Sequence, residues 1–364
     1  MILDLPNRAG KAVEDWLMDP IDARAYACVR IFYGILCLFV IAETWPVADS
    51  LFSEVGMSWH RPDLLFYIPV KYIRSPGAVK AFMAFSALAA LMMTFGLLTR
   101  VSAVVLYFWN FSYCAIGYPA EAGYDGIARI VGFLMIWAPT IRTWSLDARL
   151  FGPGEAELPR YSLRLMQVQL TIIYVATVWL KAPDSYWRNG ELMSYFLMSM
   201  YARVPTWHWA EWGRTSALMS WFTLIAEATI PFCLFSPRFR RLGYFMGFAL
   251  HGGIAFTSTI FMFSLAMVPL YMAFLTKEDV DDMLALLARF RKQPKLATAS
   301  AGASVAAPTG EQKEAAKAEP LKSDAAKPEP AKPEPAKGEK SKSEPPKGDG
   351  GGKAKGKKAS AKSA

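Results

Sequence analysis

Apolar residues fill eight long stretches between residues 26 and 276, and more polar segments of varied length separate them. A hydrocarbon core of about 30 Å takes roughly 20 mostly apolar residues in helical form. The pattern therefore predicts an all-α fold, a polytopic transmembrane helical bundle of about eight spans. The fourth and seventh stretches are short, so seven or nine crossings stay open. The predicted spans are 26–46, 79–97, 101–120, 126–141, 163–182, 215–236, 241–257 and 259–276.

Lys and Arg are frequent in alternate connections between these spans, although the long outer loops at 47–78 and 183–214 also contain several basic residues. With the N-terminus inside, Arg100, the four arginines between 142 and 164 and the cluster at 238–241 all fall on the inner side. Short loops rich in Lys and Arg face the cytoplasm, so we expect both termini there. The predicted divisions are a cytoplasmic segment at 1–17, a transmembrane domain at 18–276, an amphipathic surface helix at 277–293 and a tail at 296–364.

The tail differs sharply in composition from the rest of the chain. It has no aromatic residue, and its 14 Lys against nine acidic residues supply +5 of the chain's net charge of +9. Such a segment cannot bury a core, so it is predicted to be disordered. The remaining residues are too apolar for a soluble globular enzyme. The four cysteines lie in apolar runs without metal-ligand or CxxC spacing, so we predict no metal site.

Ionisable residues inside the spans are the first candidates for function, because a charged group in a bilayer costs free energy. Arg129 follows Asp125 by four residues, which predicts an ion pair at the outer end of the fourth span. Glu227 lies about 12 residues into the sixth span. His251 lies in the seventh and precedes two glycines, which permit close approach of a helix or ligand. Each also has a structural interpretation, as a helix-pinning ion pair or a packing residue.

The fifth span ends in an aromatic-rich segment that contains one lysine. Lys181 comes 18 residues after Leu163, about 27 Å along a helix, which puts it at the outer edge of the hydrocarbon. Snorkelling of the side chain to the interface is the simpler interpretation. Tyr174 and Trp187 flank it, and a partly desolvated ammonium releases its proton more readily and can act as a base. Residues 191–201 are apolar but too short to span, which predicts a half-buried helix over the site.

Several short motifs, in order, resemble those of one membrane protein family. They are Arg30 within Cys28–Gly34, the Gly96–Arg100 turn, Gly123-Tyr124-Asp125, Trp144-Ser145-Leu146-Asp147, the Tyr174–Gly190 segment, Glu227 and His251. Together they resemble the HTTM superfamily, whose best-understood members are the vitamin K-dependent γ-glutamyl carboxylases. The likeness covers roughly residues 18–275. The carboxylases have a His two residues before the Trp-Ser-x-Asp motif, and this chain has Arg142 there.

The resemblance implies an enzyme of the bacterial inner membrane. Its cofactor would be reduced vitamin K or another lipid quinone, with Lys181 as the base that deprotonates the hydroquinone and His251 as a second polar group in the pocket. In the carboxylases, reaction with O2 then drives removal of a γ-proton from a substrate Glu and capture of CO2. Substrate or cofactor contacts are expected from Asp125, Arg129, Tyr174, Trp187 and Glu227.

The expected partners are the lipid bilayer and a peptide or protein substrate at the outer face, with no nucleic acid. A second hypothesis is a non-catalytic membrane protein that handles a secreted peptide or a partner subunit, in which the polar residues only lock helix packing. A small-solute transporter is a third, and the sequence shows no clear inverted repeat of the kind many transporters have.

Overall fold

The computed structural model describes residues 5–56, 73–116, 121–205, 208 and 211–291, which lie within one compact unit, Met1–Leu296. Over these residues the chain is mostly helical, as predicted. The predicted disordered tail lies outside the described residues. The elements are α1 (Leu5–Met18), β1 (Pro20–Asp22), α2 (Ala23–Thr44), a 3-10 turn (Trp45–Val47), α3 (Ala48–Phe52), α4 (Pro76–Phe95), α5 (Thr99–Ile116), α6 (Gly123–Ile136), α7 (Leu146–Phe151), β2 (Glu157–Pro159), α8 (Tyr161–Lys181), α9 (Ser185–Arg188), α10 (Leu192–Leu197), α11 (Gly213–Phe235), α12 (Arg240–Thr257), α13 (Phe261–Met272) and α14 (Lys277–Arg291).

Each apolar stretch predicted to span a membrane overlaps one of these helices. Among the described residues, four helical segments are long and apolar enough to cross a bilayer: Ala23–Phe52, Pro76–Phe95, Tyr161–Lys181 and Gly213–Phe235. The others are shorter, and α13, with 12 residues, measures only about 18 Å. Four candidate spans are thus supported by length and composition, and the count of eight stays a prediction.

Local chemistry explains where the long helices begin and end. The Asp22 carboxylate accepts the Arg24 backbone N–H at 2.8 Å and so caps α2. Ser75 caps α4 in the same way, with Pro76 as the first helical residue. Gly96 ends α4 with a φ of +69°, a conformation that strongly favours glycine. The predicted turn between the second and third spans is therefore present.

A buried arginine ties three segments together at this turn. Arg30 of α2 donates from Nη1 to the carbonyl of Met93 at 3.0 Å and from Nη2 to the carbonyl of Trp144 at 2.8 Å. The Asp147 carboxylate accepts the Leu98 N–H at 2.9 Å. A side chain at Gly96 would overlap the Arg30 guanidinium. We call Arg30, Gly96, Trp144 and Asp147 the Arg30 knot.

A two-stranded antiparallel ribbon joins the beginnings of two distant helices. Ile21 of β1 pairs with Leu158 of β2, and α2 and α8 follow these strands almost directly. The Tyr26 hydroxyl, in the first turn of α2, donates to the carbonyl of Pro159 at 2.8 Å. The first turns of α2 and α8 therefore lie side by side.

Helix α14 is fastened to the same end of the bundle by ion pairs. Its Asp281 accepts from Arg24 at 2.6 Å, and two further aspartates pair with arginines at the start of α12. Its outer apolar side chains, including Leu286, Leu287 and Phe290, remain exposed.

Candidate functional site

Four helices surround the candidate site, because α8 packs against α11 and α13 while α12 packs against α11 and α13. Tyr174 and Lys181 are seven residues apart on α8, which is about two helical turns, so both lie on one face. Glu227 comes from α11, His251 from α12 and Tyr271 from α13. The fold thus brings together polar residues from four separate stretches of sequence.

The Lys181 amine makes an ion pair with Glu227. Nζ lies 2.5 Å from Oε1 and 2.8 Å from Oε2, and the side chains are 24% and 8% exposed. The lysine therefore does not snorkel into free solvent, because its ammonium is held by a buried carboxylate. Glu227 in turn has the partner that a carboxylate at that depth requires.

An aromatic ring covers the same ammonium. The Trp187 ring centroid lies 4.8 Å from Nζ, within the range of a cation–π contact. Trp187 sits in the short helix α9, which begins where the Asp184 carboxylate accepts the Tyr186 N–H. The indole N–H of Trp221, on α11, donates to the carbonyl of Arg188 at 3.0 Å. Helix α9 is thus anchored to α11 so that Trp187 stays over the amine.

The segment after α9 forms a short helix, α10, and packs on α11. The Ser194 N–H donates to the Ser216 hydroxyl at 2.9 Å, and that hydroxyl donates to the carbonyl of Gly190 at 2.7 Å. Leu197 is buried, whereas the Tyr195 side chain is exposed. A half-buried helix is therefore present where the apolar segment 191–201 predicted one.

His251 belongs to a second polar group, built from two tyrosines and the imidazole. The Tyr174 hydroxyl lies 2.7 Å from His251 Nε2 and 2.5 Å from the Tyr271 hydroxyl. A side chain at Gly247 would overlap the Tyr271 ring, so the glycine gives that ring its room. All three polar side chains are buried.

An apolar cavity of about 610 Å³ lies beside this group, with walls from α2, α12 and α13. Its polar wall residues include His251, Ser264 and Tyr271, and exposed rings such as Phe39 and Phe248 lie at its outer side. His251 Nδ1 and Ser264 Oγ are buried and have no hydrogen-bond partner among the described residues. Lys181 is not part of this cavity wall. An apolar cavity with a few unpaired polar atoms is the usual form of a site for a largely apolar ligand.

Asp125 and Arg129 lie apart from this arrangement, and the ion pair predicted between them is wrong. Arg129 pairs with Glu121 instead. The Asp125 carboxylate accepts the Ala122 N–H at 2.8 Å and the Tyr113 hydroxyl at 3.1 Å. Its position in the first turn of α6 makes it a helix cap, and a capping carboxylate is already occupied by the backbone.

The predicted site residues thus fall into three places. Lys181, Glu227 and Trp187 form one contact group, Tyr174 and His251 belong to a second, and Asp125 and Arg129 lie at the start of α6. Sequence reasoning missed Tyr271, Gly247 and Ser264. A hydroxyl group at both Ser264 and Tyr271, seven residues apart in a very apolar stretch, was the available signal.

Comparison with protein families decides what kind of protein this is. The family model described as the HTTM domain matches residues 18–279. The chain belongs to the HTTM domain family. A comparison with curated proteins and with solved structures gives no significant match.

Most of the motifs that carry the resemblance form two sets within this HTTM domain, and Gly123-Tyr124-Asp125 lies apart from both at the start of α6. Arg30, the Gly96 turn and the Trp144–Asp147 motif meet in the Arg30 knot, where their partners are backbone groups. The Tyr174–Gly190 segment, Glu227 and His251 meet around α8 and the cavity. Arg142, at the position of the carboxylase His, donates to the carbonyl of Phe151 at 3.1 Å. In this HTTM domain its side chain therefore bonds backbone next to the knot.

Proposed function

We propose that this HTTM protein is a multi-pass protein of the bacterial inner membrane, with eight crossings and both termini in the cytoplasm. The β1–β2 ribbon supports this count. Because α2 and α8 begin side by side, the chain between them crosses the bilayer an even number of times. The four helices α2, α4, α5 and α6 satisfy that condition.

The second half of the domain supports the same count. Asp281 near the start of α14 pairs with Arg24 at the start of α2, so the chain returns to the same side after α13. The intervening helices α8, α11, α12 and α13 are again four. The Lys/Arg bias of the connections favours the cytoplasm for that side.

We further propose that the protein is a quinone-dependent enzyme of the carboxylase type. What supports a lipid quinone is the cavity wall, which is apolar and includes His251 and Ser264, whose Nδ1 and Oγ have no hydrogen-bond partner among the described residues. These residues would hold the oxygen-bearing ring, and the isoprenoid chain would extend past Phe39 and Phe248 toward lipid. When bound in its reduced form, the quinone would supply the reducing power for reaction with O2.

Lys181 acts as the base in this proposal, and Glu227 assists it as a neighbouring proton acceptor. The Glu227 carboxylate, 2.5 Å from Nζ, is the group with which Lys181 would exchange a proton. Trp187 excludes water from one side of the amine. Tyr174 bonds His251 and lies about 10 Å from Lys181 along the same face of α8.

One observation carries the proposal: the Lys181–Glu227 ion pair and Tyr174, which bonds His251 beside the apolar cavity, lie on the same face of one helix, α8. General-base catalysis typically contributes 10²–10⁴-fold to a rate. Removal of Lys181 should therefore reduce turnover by at least about 100-fold.

The experiment uses the full chain in nanodiscs with vitamin K hydroquinone, bicarbonate and O2, and measures quinone epoxide. Wild type should form epoxide and Lys181→Ala should not. Lys80→Ala is the matched control, because Lys80 forms an ion pair of similar length with Asp49 on an exposed surface. Equal epoxide formation by wild type and Lys181→Ala would exclude Lys181 as the base.

A non-catalytic role in handling a peptide or partner subunit is the second candidate. The observation that favours it is the completeness of the Lys181 contacts, since both carboxylate oxygens and the Trp187 ring already engage the ammonium. Such a group can lock α8 to α11 without any chemistry. In that case Lys181→Ala would remain folded and lose a copurifying subunit, and no variant would change epoxide formation.

A further inference from the structure

Helix α1 precedes the first candidate span and has one apolar side. Its apolar residues follow one another at intervals of three and four positions, which places them within an arc of about 100°. Lys11 and Glu14 lie on the opposite side of the helix. We call the apolar set the α1 stripe, and it consists of Ala9, Ala12, Val13 and Trp16.

The side chains of the α1 stripe are all exposed, Val13 by 56% and Trp16 by 37%. Single exposed apolar residues are normal on a protein surface. A stripe along a whole helix is different, because an amphipathic helix with one uncovered apolar side is the form that lies in a membrane interface. The α1 stripe therefore indicates an apolar neighbour outside the described residues.

The last turn of α1 is attached to the first turn of α8. The Arg164 Cζ atom lies 4.7 Å from the centroid of the Trp16 ring, and Arg164 Nε donates to the carbonyl of Trp16 at 3.3 Å. Asp19 pairs with Arg160 at 3.1 Å. Helix α8 has 21 residues, or about 31 Å, which just crosses a hydrocarbon core of about 30 Å. If α8 crosses the bilayer as proposed, the end of α1 lies at the boundary between hydrocarbon and water.

A second helix at the same end of the bundle also leaves apolar side chains uncovered. Helix α14 begins beside α2, because Asp281 pairs with Arg24. The exposed apolar side chains of α14 include Leu286, Leu287 and Phe290. One apolar layer at this end would cover both helices, and the bilayer is the layer that surrounds the proposed spans.

We propose that α1 lies flat in the membrane interface at this end of the bundle, with the α1 stripe in lipid and with Lys11 and Glu14 toward water. Trp16 suits that depth, since tryptophan is enriched at membrane–water interfaces. The contacts of Arg164 with Trp16 fix one end of the helix at that level. This inference rests on the proposed crossings and is independent of the enzyme proposal.

Spin labels on single introduced cysteines measure the depth of each side of α1. The variants are Ala9→Cys, Val13→Cys, Lys11→Cys and Leu88→Cys, each in the full chain in nanodiscs of phosphatidylethanolamine and phosphatidylglycerol. Electron paramagnetic resonance measures collisions of the label with O2, which concentrates in lipid, and with a nickel chelate, which stays in water. Wild type taken through the same labelling is the blank, because three of its four free cysteines are buried.

Lys11→Cys and Leu88→Cys are the matched controls for water and for hydrocarbon. Leu88 is 54% exposed near the middle of α4. The ratio of O2 to nickel collisions should be at least about threefold higher at positions 9 and 13 than at position 11, because the apolar side of an interfacial helix lies about 5–10 Å into the headgroup and acyl boundary. Position 9 decides the orientation, since a helix that projected away from the membrane would expose it to nickel.

The outcomes separate this inference from the proposed crossings. Frequent nickel collisions at positions 9 and 13, with position 88 in lipid, would overturn the inference and leave the crossings standing. Few collisions with either reagent at positions 9 and 13 would also overturn it, because protein, either the tail at 296–364 or a second copy of the chain, would then cover the α1 stripe. Frequent nickel collisions at position 88 would contradict the crossings themselves, and the inference would fall with them.

Discussion

The Arg30 knot and the two polar groups around α8, Lys181 with Glu227 and Tyr174 with His251, both contain buried ionisable groups, yet their partners differ in kind. Arg30 bonds backbone carbonyls of Met93, Thr94 and Trp144. Among the described residues, the side chains of Lys181 and His251 bond only other side chains, and the Nδ1 of His251 has no partner. A charge held by main-chain atoms is part of the fold itself. Side chains that bond one another can instead give up one of these bonds and bond a ligand.

The largest expected effect is the loss of stability when the arginine of the Arg30 knot is replaced. Arg30→Met removes the donors from several buried carbonyls, each of which costs about 1–3 kcal/mol when unpaired. We expect destabilisation by about 3 kcal/mol or more, measured by thermal unfolding in detergent. Arg149→Met, at an exposed position in the nearby helix α7, should change stability by less than about 0.5 kcal/mol. Equal effects of the two variants would contradict the role given to the knot.

The Lys181–Glu227 pair should show the next largest effect. In a double-mutant cycle with Lys181→Met and Glu227→Met, the coupling energy should be about 1–3 kcal/mol, because either single variant leaves a buried charge unpaired. The exposed Lys80–Asp49 pair should give less than about 1 kcal/mol. A coupling as weak as that of the surface pair would mean that Lys181 is solvated like a surface residue.

A smaller effect is expected from two glycines of α12, which both lie in the cavity wall. Gly247→Ala would force the Tyr271 ring aside and should destabilise by about 1–2 kcal/mol, with weaker quinone binding. Gly252→Ala meets no neighbouring atom and should be neutral or slightly stabilising, since alanine favours a helix. Unfolding and quinone binding of both variants check this. Indistinguishable variants would show that Tyr271 tolerates displacement.

The smallest effect concerns pH and a residue outside the spans. The hydrogen bond from Arg24 lowers the pKa of Asp22 below its ordinary value of 3.8. A lowered pKa stabilises the fold above the ordinary value, and this contribution is lost as the pH falls through the folded-state value. Asp22→Asn should therefore reduce stability at pH 7 by about 0.5 kcal/mol and lose that difference in strong acid. Asp15→Asn, at an exposed position of α1, is the control in unfolding experiments over pH 2 to 7.

Much of the helical content was predictable because apolar stretches leave few alternatives in a bilayer. The partners of single polar residues were harder to predict. Glu227 was expected to need a partner, but Lys181 is 46 positions away, and only the packing of α8 on α11 joins them. The predicted Asp125–Arg129 ion pair failed because the spacing of the two residues does not show that the Asp125 carboxylate caps the helix and accepts a backbone N–H instead. Tyr271 went unnoticed, since a tyrosine in an apolar run resembles any packing residue.

The β1–β2 ribbon has a consequence for how the protein is made. Translation delivers residues 20–22 long before residues 157–159, because helices α2 to α7 lie between them in the chain. The first strand therefore waits, unpaired, through the synthesis of half the domain. The ribbon can therefore close only late in assembly. A defect in one of the earlier helices would leave the first strand without its pairing partner, and the cell's quality control would meet the protein in that unpaired state.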